Sequence, residues 1–276
     1  MSHKNLVSVV IPTYNSEATI TDSLRSIANQ TYEMIEVVVA DNFSFDSTMA
    51  SAKQEGARVL TRSGKPGNVS SAKNFGLVNS NGEYVLFLDS DEVLTSKVVE
   101  ECVSLCENAG VGMVKIPLRF VGRDFWSSSS AFWRDCHYNL SRRKSGNFPR
   151  FFKRRYLGEI AYDENLVWGE DLQLYLRLKE NGIEEAYCRS FMFHLEPDSL
   201  KQMILKHMNY AKGMASFSDR TDSNVYLDLS RNAFSALFEA FRNPPNPAYI
   251  LAGSLIFLCF KGYAMAIGLL RMRIVR

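Results

Sequence analysis

Apolar and polar positions along the first hundred residues follow two alternating rhythms. Short runs rich in β-branched residues, Leu6–Ile11, Ile35–Ala40, Arg58–Leu60 and Tyr84–Leu88, read as strands. Between them Ile20, Leu24 and Ile27 recur at helical spacing, with Ser16 placed to cap that helix. Asp46 is placed to cap a second helix, and Val69–Leu77 begins a third. Strands alternating with crossover helices predict a mostly parallel sheet covered on both faces. Ligands of such sheets bind beyond the carboxyl ends of the strands, which directs attention to the residues after Ile11, Ala40 and Leu88.

Farther along, a helix is expected from about Ser96 to Asn108 and a strand over Val111–Phe120. Gly122 to Asn147 breaks the pattern with a serine run, aromatics and arginines, and is expected to be a long loop. Order resumes at Phe151–Lys153, Glu170–Glu180 reads as a helix, and a helical region runs from Ser199 through Arg242 until Pro244-Pro245-Asn246-Pro247 breaks it. Ala248–Leu270 is apolar apart from Lys261. It can lie in a membrane interface or form a short hairpin, with a span or a buried helix as the alternatives. The expected division is a domain over residues 1–198 and a C-terminal helical region over 199–276, membrane-associated.

At 276 residues the chain is long enough for one large α/β domain with an appendage, and its net charge of +2 carries no general nucleic-acid signature. Charge is local instead. Arg142, Arg143, Lys144, Arg150, Lys153, Arg154 and Arg155 cluster with no acidic residue among them, and none follows Glu239. Such clusters suit a membrane or a phosphorylated lipid. Five scattered cysteines read as reduced thiols in a cytosolic compartment, and no secretory signal is read at the N-terminus.

Polar groups fall where the sheet rule places them. Pro12-Thr13-Tyr14-Asn15 and Glu17 follow the first strand, Asp41 to Thr48 follow the second, and Asp89-Ser90-Asp91 follow the fourth. Two carboxylates one residue apart at the end of a buried strand can converge on a hard cation, Mn²⁺ or Mg²⁺, and its diphosphate ligand, although any surface turn can hold the same pair.

Val7 to Asn15, Asp41–Thr48, Asp89-Ser90-Asp91 and Trp168-Gly169-Glu170-Asp171 together resemble inverting glycosyltransferase family 2 with the GT-A fold, over roughly residues 5 to 195. The resemblance implies an α/β fold, GT-A and Rossmann-like, with a mostly parallel central sheet flanked by helices and a C-terminal helical extension. It implies that Pro12, Tyr14 and Glu17 line a nucleotide pocket, that Asp41 contacts the base, and that Asp89 serves nucleotide and metal. Gly67 to Gly76 is similar to the family's Gly-x-x-x-Ala-Arg-Asn-x-Gly with Lys73 in place of arginine, which keeps a positive charge near the phosphates. The plain alternative for Lys73 is an exposed helix lysine. Asn42 and Phe43 replace the family's common Asp-Gly.

By the same resemblance Asp171 is the general base, Glu170 orients the acceptor, and His194 joins Asp91 on the metal. A structural histidine is the alternative for His194. Trp168 offers an apolar face to a sugar or packs in the core, and Arg150 and Arg154 lie on the acceptor side. The function implied is metal-dependent transfer of a sugar from a nucleotide-diphosphate sugar, UDP favoured and GDP second, to the hydroxyl of a lipid-linked or cell-surface glycan precursor at the cytoplasmic face of a membrane. The rivals are a polyprenyl- or dolichyl-phosphate sugar synthase and an inert nucleotide-sugar-binding scaffold. A nucleotidyltransferase would need a glycine-rich basic loop after the first strand, which Pro12-Thr13-Tyr14-Asn15 is not.

Overall fold

The computed structural model describes residues 3–62, 64, 66–135, 138, 147–158, 161–166, 168–206, 208 and 247–274. They fall into two compact units, one made of residues 1–117, 147–165 and 170–194 and the other of residues 118–146, 166–169 and 195–276.

The first unit is built on a seven-stranded sheet. Strands β1 (His3–Thr13), β2 (Ile35–Asp41), β3 (Arg58–Thr61) and β4 (Gly82–Phe87) are parallel and adjacent in the order β3-β2-β1-β4. Their crossover helices are α1 (Ile20–Ala28), α2 (Thr48–Gln54) and α3 (Val69–Val78). Strand β5 (Glu92–Leu94) and helix α4 (Val98–Asn108) follow. The central strands read as unbroken apolar runs because they are buried: Val9, Val10, Ile11, Val38, Val39, Leu86 and Phe87 have no solvent exposure, whereas Arg58 and Thr61 of the edge strand β3 are exposed.

The strand expected over Val111–Phe120 is two short strands, β6 (Met113–Lys115) and β7 (Leu118–Val121). Pro117 lacks the N–H that a continuous ladder needs, and its carbonyl instead accepts the Met192 N–H. Strand β8 (Phe151–Lys153) inserts antiparallel between β4 and β6, and β9 (Glu185–Tyr187) closes the sheet beside β6. Helix α6 (Glu170–Glu180) buries Leu174 and Leu178 in a core shared with Phe87, Phe152 and Tyr162.

Two expected caps differ in detail. The Ser16 carbonyl, not its hydroxyl, receives the Thr19 and Ile20 N–H groups, because the hydroxyl is paired with Ser90 Oγ at 2.8 Å. Asp46 does serve the start of α2, accepting the Thr48 N–H at 3.0 Å.

The serine run expected as a loop is a helix, α5 (Phe125–Asp135), in the second unit. Asp124 Oδ1 accepts the Ser127 N–H at 2.6 Å and Ser127 Oγ accepts the Asp124 N–H at 2.9 Å, a reciprocal cap. The serines are tolerated because their hydroxyls are satisfied locally: Ser129 donates to the Phe125 carbonyl at 2.7 Å and Ser130 to Glu196 at 3.1 Å. Their small size also admits helix α7 (Pro247–Ile274), whose Gly253 backs onto the Ser129 carbonyl so closely that a Cβ there would sit 2.7 Å from it. The continuity of α7 rules out a hairpin. No helix among the described residues is long and apolar enough to cross a membrane. Residues 200–206 are helical, whereas the expected helix through Arg242 and the basic residues Arg142, Arg143 and Lys144 lie outside the described residues.

Helix α3 lies against the sheet through Gly76, where a Cβ would meet Val10 Cγ1 at 2.3 Å and Ala40 Cβ at 3.3 Å. Gly76→Ala is expected to push α3 outward and destabilise the protein by about 1–3 kcal/mol, measured by denaturant unfolding. An unchanged unfolding midpoint would show that the close approach is not a constraint.

Candidate active site

The loops after β1 and β2 are laced together by hydrogen bonds. Asn15 N–H donates to Ser44 Oγ at 2.9 Å, Ser16 N–H to Thr48 Oγ1 at 2.7 Å, and Phe45 N–H to Asn15 Oδ1 at 3.1 Å. The Glu17 carboxylate accepts the Ser47 N–H at 3.1 Å, so this side chain ties the two loops. Asn15 and Phe43 hold the left-handed backbone, at φ of 50° and 67°. Two exposed aromatics, Tyr14 and Phe45, meet edge to face with ring centroids 6.3 Å apart. Buried Asp41 accepts from Thr13 Oγ1 at 3.2 Å and from the Ser44 N–H at 3.0 Å, and Pro12 is buried in β1 itself. Asn42, at the position of the family's second acidic residue, clamps Gly67 from both sides, donating to its carbonyl at 3.0 Å and accepting its N–H at 2.9 Å.

A second group of residues, far apart in the chain, meets at the end of β4. Lys73 is not an exposed helix lysine: 1% of its side chain reaches solvent. Its ammonium lies 3.1 Å from Asp171, 3.5 Å from Glu170 and 3.9 Å from Asp89. Arg150 sits beside it, 3.1 Å from Asp89, 3.2 Å from Glu92 and 3.9 Å from Asp171. Burial alone would strip a proton from Lys73, but the charges of Asp171, Asp89 and Glu170 hold its pKa well above the ordinary lysine value. Burial likewise raises the Asp171 pKa, and Lys73 and then Arg150 outweigh it, leaving that carboxyl below its usual range. Glu170 goes the other way, raised by burial and by the neighbouring Asp171 charge. Adjacent carboxyls pushed in opposite directions are a pattern of acid–base sites.

A third pair stands next to these. Strand β10 (Met192–Leu195) runs antiparallel to β5, with His194 opposite Glu92. This register sets His194 Nε2 3.5 Å from Asp91 Oδ2 and Nδ1 3.7 Å from the fully buried Glu92. No group of three or more His, Cys, Asp or Glu able to hold a metal occurs among the described residues.

Arg154 is placed elsewhere. Its guanidinium binds the carbonyls of Gly82 and Leu77 and the hydroxyls of Ser80 and Ser8, at the opposite ends of β1 and β4 from Asp89. Trp168 belongs to the second unit. The sequence reading did not single out Glu92, which accepts the Asp89 N–H at 2.9 Å and anchors both Arg150 and His194. Nor did it assign a role to Asn74, whose amide holds Tyr162 by both its carbonyl, at 2.8 Å, and its N–H, at 2.9 Å. An asparagine inside an apolar helix face is a poor helix former, and that mismatch was the available signal.

Lys73→Met removes the common counter-charge of three carboxylates and is expected to destabilise the protein by about 3–5 kcal/mol at neutral pH. The folded pKa of Asp171 is depressed, so its contribution is present above the unfolded value of about 3.9 and is lost as pH falls through the folded value. The stability gap between wild type and variant should therefore hold from pH 7 down to about 4 and narrow as pH falls below that, read by chemical denaturation at each pH. A gap that does not change with pH would contradict the assigned pairing.

The glycosyl transferase family 2 model matches residues 8–162. The chain is 29% identical over 243 residues to the minor teichoic acid biosynthesis protein GgaB of Bacillus subtilis (strain 168), covering 82% of this chain and 27% of that protein. It thus spans about a quarter of that relative's length. It is 33% identical over 189 residues to WfgD of Escherichia coli, a UDP-Glc:alpha-D-GlcNAc-diphosphoundecaprenol beta-1,3-glucosyltransferase, covering 66% of this chain and 74% of that enzyme. Among solved structures it resembles the mannosyltransferase PcManGT of Pyrobaculum calidifontis in complex with GDP-Man and Mn²⁺, with a TM-score of 0.60, 20% identity and coverage of 97% of this chain and 88% of that one. That likeness bears on the fold alone and agrees with the GT-A architecture that the family resemblance implied. The strand-end acids, the Lys73 helix and the matched sequence together show that the chain belongs to glycosyl transferase family 2.

Proposed function

We propose that the protein transfers a sugar from a nucleotide-diphosphate sugar to an acceptor hydroxyl with inversion at the anomeric carbon. The observation that carries this reading is the convergence of Asp171, Glu170 and Asp89 on the buried Lys73 ammonium. The acceptor oxygen attacks the anomeric carbon as the bond to the diphosphate oxygen breaks. The leaving nucleoside diphosphate keeps that electron pair, and Asp171 takes the hydroxyl proton. Lys73 and Arg150 supply fixed positive charge against the diphosphate as its negative charge grows. Glu170, with its raised pKa, sits where it can hydrogen-bond the acceptor.

Asp91 and His194 would hold a divalent cation of the Mn²⁺ or Mg²⁺ type. Glu92 facing Nδ1 directs Nε2 toward that position. When bound, such a cation adds Lewis-acid charge at the leaving group. Asp89, already paired with Arg150, stands at the nucleotide side of the same position. The laced loops bearing Tyr14 and Asp41 suit the base and ribose. UDP is the favoured nucleotide, supported by the donor in WfgD's name, with GDP the second candidate.

A phosphate acceptor needs little base catalysis, so the buried Asp171 supports a hydroxyl acceptor over a polyprenyl-phosphate one. A lipid-linked glycan at the cytoplasmic face of a membrane fits WfgD's diphosphoundecaprenol acceptor and the exposed stripe of α7, where Leu251, Leu255 and Leu258 are 66%, 53% and 64% exposed. The opposite face of α7, with Ile250 and Ala252, is buried.

Screening UDP- and GDP-sugars for Mn²⁺-dependent hydrolysis identifies the donor, and Asp171→Asn should then reduce turnover roughly 10²–10⁴-fold while nucleotide affinity is kept. Near-normal turnover in that variant would remove the base assignment. Replacing Leu251, Leu255 and Leu258 together by glutamate should abolish sedimentation with phosphatidylglycerol vesicles without lowering the melting temperature. Equal sedimentation of variant and wild type would rule out α7 as the membrane contact.

A further inference from the structure

Tyr162 is fully buried, and its hydroxyl has no hydrogen-bond partner among the described residues. An orphaned hydroxyl of this kind costs about 1–3 kcal/mol, and a phenylalanine would fill the same space without the cost. The ring cannot turn away to find water. Asn74 holds the residue's backbone at both ends of its peptide, and Phe87 meets the ring edge to face at 5.0 Å. The Lys73 ammonium lies 4.8 Å from the ring centroid.

The groups around Tyr162 decide what its hydroxyl can do. Lys73, Arg150, Asp171 and Glu170 all act on it electrostatically. Lysine and arginine only donate, so the carboxylates are the acceptors in reach. Burial, opposed by the Lys73 charge, keeps the phenol well above its ordinary pKa, so it stays protonated and remains a donor. Asp171 Oδ1 is at present taken by Lys73 at 3.1 Å. The Tyr162 hydroxyl already lowers the Asp171 pKa as a hydrogen-bond donor to that carboxyl, although it falls short of full hydrogen-bond geometry.

A diphosphate arriving beside Lys73 changes this balance. The ammonium then divides itself between phosphate oxygens and Asp171, and the carboxylate loses its nearest donor. A base tied to a cation is a weak base, whereas a neutral hydroxyl can hold a carboxylate's orientation at a smaller loss of basicity. We infer that Tyr162 is the positioning residue for Asp171 in the donor-bound site, its hydroxyl donating to the carboxylate oxygen that Lys73 gives up while the other oxygen faces the acceptor. This rests on the reading of Asp171 as the base and of Lys73 as counter-charge to the diphosphate.

The test is Tyr162→Phe in the full chain, compared with wild type by thermal unfolding without nucleotide and with saturating UDP–Mn²⁺ or GDP–Mn²⁺. Without nucleotide the variant should melt higher, because the orphaned hydroxyl is gone. With the bound nucleotide that advantage should vanish, because the wild-type hydroxyl then has its partner. In donor hydrolysis kcat should fall roughly tenfold or more, the effect of losing one hydrogen bond to a charged group, with KM within about twofold. An advantage of equal size with and without nucleotide, a lower melting point in the free variant, or an unchanged kcat would each overturn the role of Tyr162 while leaving the base assignment standing. Full turnover in Asp171→Asn, or no shift of the wild-type melting point by either nucleotide, would instead overturn the underlying reading and Tyr162 with it.

Discussion

An ammonium group taken out of water is tolerated only when carboxylates replace the water, and here that requirement links three distant parts of the chain. Lys73 comes from α3, Asp89 from the end of β4, and Glu170 and Asp171 from the first turn of α6. Each carboxylate is itself costly to bury, so none of the three segments can leave without stranding charge on the others. Helix α3 must lie close against β1 and β2, α6 must begin where it does, and β4 must end at Phe87. The positions of the surrounding elements follow from one cation and its partners.

Rigid support surrounds that centre. Asn74, one residue beyond Lys73 on α3, fixes the backbone of 161 and 162, and Glu92 fixes Arg150 and His194 from a position without solvent exposure. Between the loops after β1 and β2, hydrogen bonds lace residues 15–17 to 44–48. Loops held this way cost little entropy when a ligand arrives, which is the usual benefit of a preorganised site.

Much of this was legible in the sequence, for a physical reason. Parallel strands buried on both faces must be apolar throughout, so Leu6–Ile11, Ile35–Ala40 and Tyr84–Leu88 stood out, and the strand-end rule located Asp41, Asp89 and Asp91. What was not legible depends on pairings between remote segments. The β5–β10 register that brings His194 to Asp91 joins strands about a hundred residues apart, and three-residue strands leave almost no periodic trace. The burial of Lys73 could not be read from α3, because its buried positions include Ser70, Ser71 and Asn74 while the apolar Val78 is exposed. The serine run of α5 suggested a loop because serine favours caps and turns. Its helical state depends on the Asp124 cap and on hydroxyl partners such as Glu196, which no local pattern encodes.

The antiparallel strand β8 carries a consequence of its own. The chain leaves the first unit at Pro117 and re-enters it at Asn147, and the three residues of β8 lock that re-entry between β4 and β6. Arg150, one residue before the strand, is thereby delivered to Asp89 whatever the intervening segment does. Residues 118–146 can therefore change length and composition under selection without moving the Arg150 charge away from Asp89. A fold wired in this way lets an inserted segment diverge while the buried charge cluster stays in place.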